Sequence, residues 1–180
     1  MKRYPLAIGL ITLAILFRTL WHLGPNIEFV TTASILAAHY LGFWYGISVP
    51  LAIMFVSDIF IRNTNIFIFT WSAFVFIGGG NRLFSIMMGQ RRGTKVVLTQ
   101  AGYGILASVF FYLYTNFGVW FLDSWSMYPR TLAGLLECYI MALPFLRFQL
   151  IGNLFFVPVS FALIELSLAL RKRKWLSLSI

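Results

Sequence analysis

Asn116 and Trp120 stand one helical turn apart in the string TNFGVW (115–120), so an amide and an indole share one helix face and can grip one planar ligand. Asp58 ends another apolar run beside Ser57, where its carboxylate can accept hydrogen bonds from a ligand. Equally, Arg62 follows it by four residues, the favourable order for an ordinary helix-surface ion pair. Arg130 follows Pro129 near a helix start, and its planar guanidinium suits a carboxylate or phosphate, or else a tie to Glu28, Asp123 or a phospholipid. Tyr128 beside it, Asn26 after the first apolar run, and Arg18, which shares a helix face with His22, complete the set expected to contact a ligand.

The same residues do not make a catalyst. Glu137 adjoins Cys138, but neither histidine has a spacing that brings it near, so the cysteine reads as a small apolar filler. One cysteine excludes an internal disulfide, and no CxxC, HExxH, GxSxG, Glu-Glu or DDxxD string occurs. His22 and His39 fall toward opposite membrane faces, which argues against a shared metal or haem. Gly78-Gly79-Gly80 lacks the spacing of a phosphate loop and lies within an apolar run. We therefore expect no enzyme, no cofactor and no metal.

The elements that must carry these side chains follow from composition. Of 180 residues, 60% are hydrophobic and 11% charged, and long apolar runs recur from end to end with short polar gaps. An ordinary soluble domain does not have this composition. A helix needs about 20 apolar residues to span a bilayer, so the chain is expected to be all-α, a single integral membrane domain over 1–180. The expected spans are 4–23, 27–41, 43–61, 66–88, 96–121 and 148–170. Although the first run follows Lys2-Arg3 like a signal peptide, Arg18, Trp21 and His22 occupy the place of a cleavage site, so it is expected to be retained.

The formal charge of +9 is topogenic and not a nucleic-acid patch, because it gathers at Lys2-Arg3, Arg91-Arg92-Lys95 and Arg171–Lys174. With both termini cytoplasmic, six crossings put all three clusters inside the inner or plasma membrane. The apolar run 131–143 is led by Tyr-Pro-Arg, carries Glu137 and stops at Pro144. Thirteen residues of helix reach only about 20 Å against a core of about 30 Å. A seventh crossing would also send the basic tail outside, so this run is expected to be a short lid or re-entrant helix at the outer face.

Polar residues then crowd the outer half: Arg18, His22, Asn26 and Glu28; Asp58, Arg62, Asn63 and Asn65; Thr115, Asn116, Asp123, Arg147, Gln149 and Asn153. Ionisable groups within spans usually face a bundle interior or a wet cavity, so we expect an outer pocket roofed by 122–145. Arg18, Arg62, Arg130 and Arg147 are matched there by Glu28, Asp58, Asp123 and Glu137, a balance that favours a neutral or zwitterionic ligand. Trp44, Trp71 and Trp125 read as interfacial anchors.

Four strings, GPNIEFVTTASILAAHYLG (24–42), VPLAIMFVSD (49–58), TNFGVW (115–120) and YPRTLAGLLECYIMALPF (128–145), resemble a family of six-helix bacterial membrane proteins known only as a domain of unknown function. That family is similar to the substrate-binding S components of energy-coupling-factor transporters. The resemblance implies a subunit that binds a small molecule from outside, near the outer face, and releases it inward with separate transmembrane and ATPase subunits. S components commonly dock through an Ala-x-x-x-Ala surface on the first helix, and the first helix here has no such pair.

Ala33 and Ala37 supply that spacing on the second span, where small residues let helices approach closely. Internal packing is the favoured role for this pair, and for Gly104 with Ser108; docking of a partner is the alternative for Ala33 and Ala37. A rival reading of the whole chain is a non-transporting membrane scaffold similar to the small rod-shape-determining membrane proteins. A scaffold can fill the outer volume with side chains, whereas a binding subunit needs a cavity walled by the four strings.

Overall fold

The computed structural model describes residues 3–21, 24, 26–61, 66–89, 91–122 and 126–178, with side chains as far as Lys172. His22, Arg62, Asn63, Asn65, Asp123 and Trp125 lie outside the described residues, and the expected Asp58–Arg62 and Arg18–His22 relationships lie there with them. Among the described residues the chain is all-helical: α1 Arg3–Thr19, α2 Val30–Leu36, α3 Phe43–Ile61, α4 Phe67–Met87, α5 Thr94–Leu122 and α6 Leu132–Leu178. A π-helical turn, Ala37–Leu41, extends α2 to Gly42. Three helices, α3, α5 and α6 through Lys172, are long and apolar enough to cross a membrane.

All of α2 is buried, from Val30 to Leu36, and it packs against α1, α3, α4, α5 and α6. A helix that is apolar or small all round belongs in a core, and this one is the axis of the bundle. Ala33 and Ala37 are fully buried there. The docking role for that pair is therefore wrong: no partner helix can reach them.

Two neighbours close on the axis where glycine permits it. Gly78 on α4 lies so near the Gly46 carbonyl on α3 that a Cβ at Gly78 would collide with it, while a Cβ at Gly46 would sit 2.8 Å from that of Ala38. The close approach of α3 and α4 thus depends on missing side chains. At the far end of α4, Gly89 has φ +71°, the left-handed conformation that commonly terminates a helix.

The chain departs most from expectation at Pro144. Instead of a short helix stopped by proline and a separate span from 148, one helix of 47 residues runs from Leu132 to Leu178 through Pro144 and Pro158. Its length is about 70 Å at ~1.5 Å per residue, more than twice the core of a bilayer. α5 and α6 do not run side by side throughout. Asn153 Nδ2 donates to Ser108 Oγ (2.8 Å), whereas Tyr112, one turn further along α5, donates to the Tyr139 carbonyl (2.6 Å). The stretch from Asn153 back to Cys138, which donates to the Asn116 carbonyl, therefore faces only the shorter stretch from Ser108 to Asn116 of α5, and α6 bows away between them. Proline at 144 removes one helical hydrogen bond within the bow, a usual cause of a bend.

At the opposite end, Glu165 of α6 ties three segments together. It accepts from Tyr40 Oη (2.9 Å), from the Gly93 amide (2.8 Å) and from Arg92 Nη1 (3.4 Å).

Candidate functional site

The bow in α6 opens a cavity of about 510 Å³, within the range of small-molecule sites. Every helix contributes a wall. Arg18 comes from the end of α1, Asn26 and Glu28 from the following segment, and Thr31 from the start of α2. Met54 of α3, with Thr70 and Phe74 of α4, forms a mostly apolar side. Phe111, Thr115 and Asn116 of α5 face Cys138, Met141, Ala142, Phe145 and Gln149 of α6 across the space, and Met127 and Tyr128 close the connection between those two helices.

Charge on the wall is compensated locally. Arg18 donates from Nη1 to Glu28 Oε2 (2.6 Å) and from Nη2 to Asp58 Oδ1 (2.9 Å), and Trp71 Nε1 donates to the other Asp58 oxygen (2.7 Å). Buried charges are expected to be held this way. Arg18 Nε is buried and has no hydrogen-bond partner, the kind of exception that water or a bound group can satisfy. Asn26 has φ +57°, a conformation that asparagine tolerates better than most residues, and this turns the chain back toward Glu28.

On the α5 side, Asn116 donates its amide to the Tyr112 carbonyl of its own helix (2.8 Å), which leaves its side-chain oxygen to accept from the cavity. Cys138 donates to the Asn116 carbonyl (3.4 Å). Burial pushes the Tyr128 hydroxyl above its ordinary range, so it stays a neutral donor and acceptor.

Of the ligand contacts expected from sequence, Arg18, Asn26, Asn116 and Tyr128 stand together on the cavity wall. Asp58 lies behind Arg18, as its partner. Trp120 and Arg130 are off the wall: the Trp120 ring donates to the Pro129 carbonyl (3.1 Å), and Arg130 is exposed. Of the two residues expected to share a ligand, Asn116 lines the cavity and Trp120 does not. Sequence reasoning passed over Thr31, Met54, Phe74, Phe111, Met141 and Phe145, whose only signal was membership of apolar runs. Among the described residues, no three His, Cys, Asp or Glu side chains gather as a metal site.

Fold and cavity together define an all-helical protein, with helices fit to cross a membrane and a small-molecule-sized hollow at one end of the bundle. More particularly, the chain belongs to the family of unknown function DUF6580, which matches residues 1–176. No curated protein and no solved structure matches it. The family match carries no link to S components.

Proposed function

We propose that this protein is an S-component-like membrane subunit that captures a small molecule at the outer face for uptake with a separate energising module. One observation carries the reading: a cavity of about 510 Å³ is walled by residues from all four strings on which the resemblance rests. Asn26, Glu28 and Thr31 come from the first, Met54 from the second, Thr115 and Asn116 from the third, and Tyr128, Met141 and Phe145 from the fourth. Side-chain packing alone gives no reason for distant strings to surround an open space.

The wall chemistry favours an amphipathic ligand. Phe74, Phe111, Phe145 and the methionines offer an apolar, adaptable surface for a ring or short chain. Asn116, Thr115, Gln149, Tyr128 and the compensated Arg18–Glu28 pair offer hydrogen bonds to a polar end. Such a wall suits a neutral or zwitterionic molecule better than a polyanion. In this reading the cavity opens outward, both termini are cytoplasmic, and all of the expected crossings are made. The sequence has no phosphate-loop spacing, so the energy of uptake comes from partner transmembrane and ATPase subunits.

Native mass spectrometry of the gently solubilised protein tests the reading. A co-purifying small molecule is expected in the native protein, and its loss is expected in Ala142→Trp, which fills the cavity from α6. No such molecule in either protein, and none captured from a metabolite extract, would favour the scaffold.

A further inference from the structure

At the other end of the bundle a second pocket, of about 240 Å³, gathers Arg3 from the start of α1, Arg82 from α4, and Arg91 and Arg92 from the turn joining α4 to α5. His39 and Ser85 on its wall are held by a polar network beneath. Gln100 Nε2 donates to Ser85 Oγ (3.1 Å), His39 Nδ1 lies 3.0 Å from the same oxygen, and Asn81 Nδ2 donates to Gln100 Oε1 (2.6 Å).

The charge there does not balance. Among the described residues the only carboxylate joined to the four arginines is Glu165, and it reaches Arg92 at 3.4 Å while holding Tyr40 and the Gly93 amide more closely. Arg91 is oriented by neutral acceptors, the Met88 carbonyl (3.1 Å) and Thr99 Oγ1 (2.9 Å), which place its guanidinium without cancelling its charge. Arg3 and Arg82 form no hydrogen bond or ion pair among the described residues. Four arginines lining one hollow, three of them exposed, repel one another. Holding them together is favourable when an anion sits between them, and guanidinium groups match phosphate oxygens in pairs.

We propose that this pocket binds a phosphate-bearing anion, either the headgroup of an anionic phospholipid or a soluble phosphate. The position fits both sources. Basic pockets between membrane helices at the cytoplasmic side take lipid headgroups, and the basic clusters mark this end as cytoplasmic. It is separate from the amphipathic cavity at the opposite end and does not depend on the function proposed for that cavity.

The test uses the full-length protein in detergent. Native mass spectrometry compares retention of phosphatidylglycerol and phosphatidylcholine, and thermal unfolding is followed with sodium phosphate against sodium chloride at equal ionic strength. Preferential retention of phosphatidylglycerol with no phosphate-specific effect identifies a headgroup; stabilisation by phosphate identifies a soluble group. Either effect should fall by about tenfold in Arg82→Gln and in Arg3→Gln, and should stay unchanged in Arg130→Gln at the other end of the bundle. Arg3→Gln changes an exposed residue in the first turn of α1, so it keeps the test readable if Arg82→Gln folds poorly. Equal retention of both lipids with no phosphate effect overturns the proposal, as does retention that both pocket variants leave unaltered. An acidic polypeptide bound in place of either phosphate source would overturn it too.

Discussion

Arg18 on α1 donates to Asp58 on α3 across 2.9 Å, and both side chains are only 10% exposed. Asp58 is a counter-charge of Arg18, and Glu28 at 2.6 Å is a second. Removing one partner from a buried pair typically costs about 3 kcal/mol or more. Asp58→Ala should therefore lower the thermal stability of the detergent-solubilised protein by about that amount, and Asp58→Asn, which keeps an acceptor for Trp71, by less. Unchanged melting of Asp58→Ala would show that the pair contributes nothing.

Ligand binding should divide the residues expected from sequence into two groups. Asn116→Ala removes an acceptor from the cavity wall and should weaken binding of the co-purifying molecule by about tenfold. Arg130→Ala, exposed and off that wall, should change affinity by less than about twofold. The reverse order in a titration would place the ligand near the 126–131 connection and not in the cavity.

The crossing of α3 and α4 should tolerate no added volume. Gly78→Ala should destabilise by about 1–3 kcal/mol or more through overpacking, and Ala33→Trp, at a fully buried position on the central helix, should prevent folding altogether. Size-exclusion profiles and thermal unfolding in detergent read both outcomes. A well-folded Ala33→Trp protein would contradict the position of α2.

Gln100 is buried in a polar network with buried Asn81 and Ser85 and half-buried His39. Gln100→Leu leaves several of those groups unsatisfied, at about 1–3 kcal/mol for each lost partner. The expected result is marked destabilisation with little change in ligand affinity at the distant cavity. Equal loss of both would mean that the two ends are coupled.

The basic clusters predict the topology. A reporter fused after Lys174 should read cytoplasmic, and a cysteine at Ser126 should be labelled by an impermeant reagent from outside. A C-terminal reporter facing outward would remove the six-crossing arrangement on which outward capture depends.

Helix α3 was legible to the residue, because an apolar run of ordinary spanning length begins directly after Gly42. Pro144 misled for a physical reason. In water a mid-helix proline usually marks an end, but in membrane helices neighbouring groups can re-satisfy the freed carbonyl, and here the helix continues through the bow. The polar part of the cavity was visible as polar residues crowded at one end. Its apolar part was not, since Phe74, Phe111 and Phe145 look like any other residues of their runs until helices from distant parts of the chain are brought together. Glu165 was invisible for the same reason: its partners Tyr40 and Gly93 lie far away in sequence.

The enclosed α2 bears on how the protein is made. With its π-helical turn it covers Val30–Leu41, about 18 Å of helix at ~1.5 Å per residue, too short to partition into lipid alone. During synthesis it therefore has to be held by the insertion machinery until α3 and α4 emerge to surround it. Residues of α2 should crosslink to the insertion machinery in a nascent chain arrested just after Gly42, and no longer in one arrested after α5.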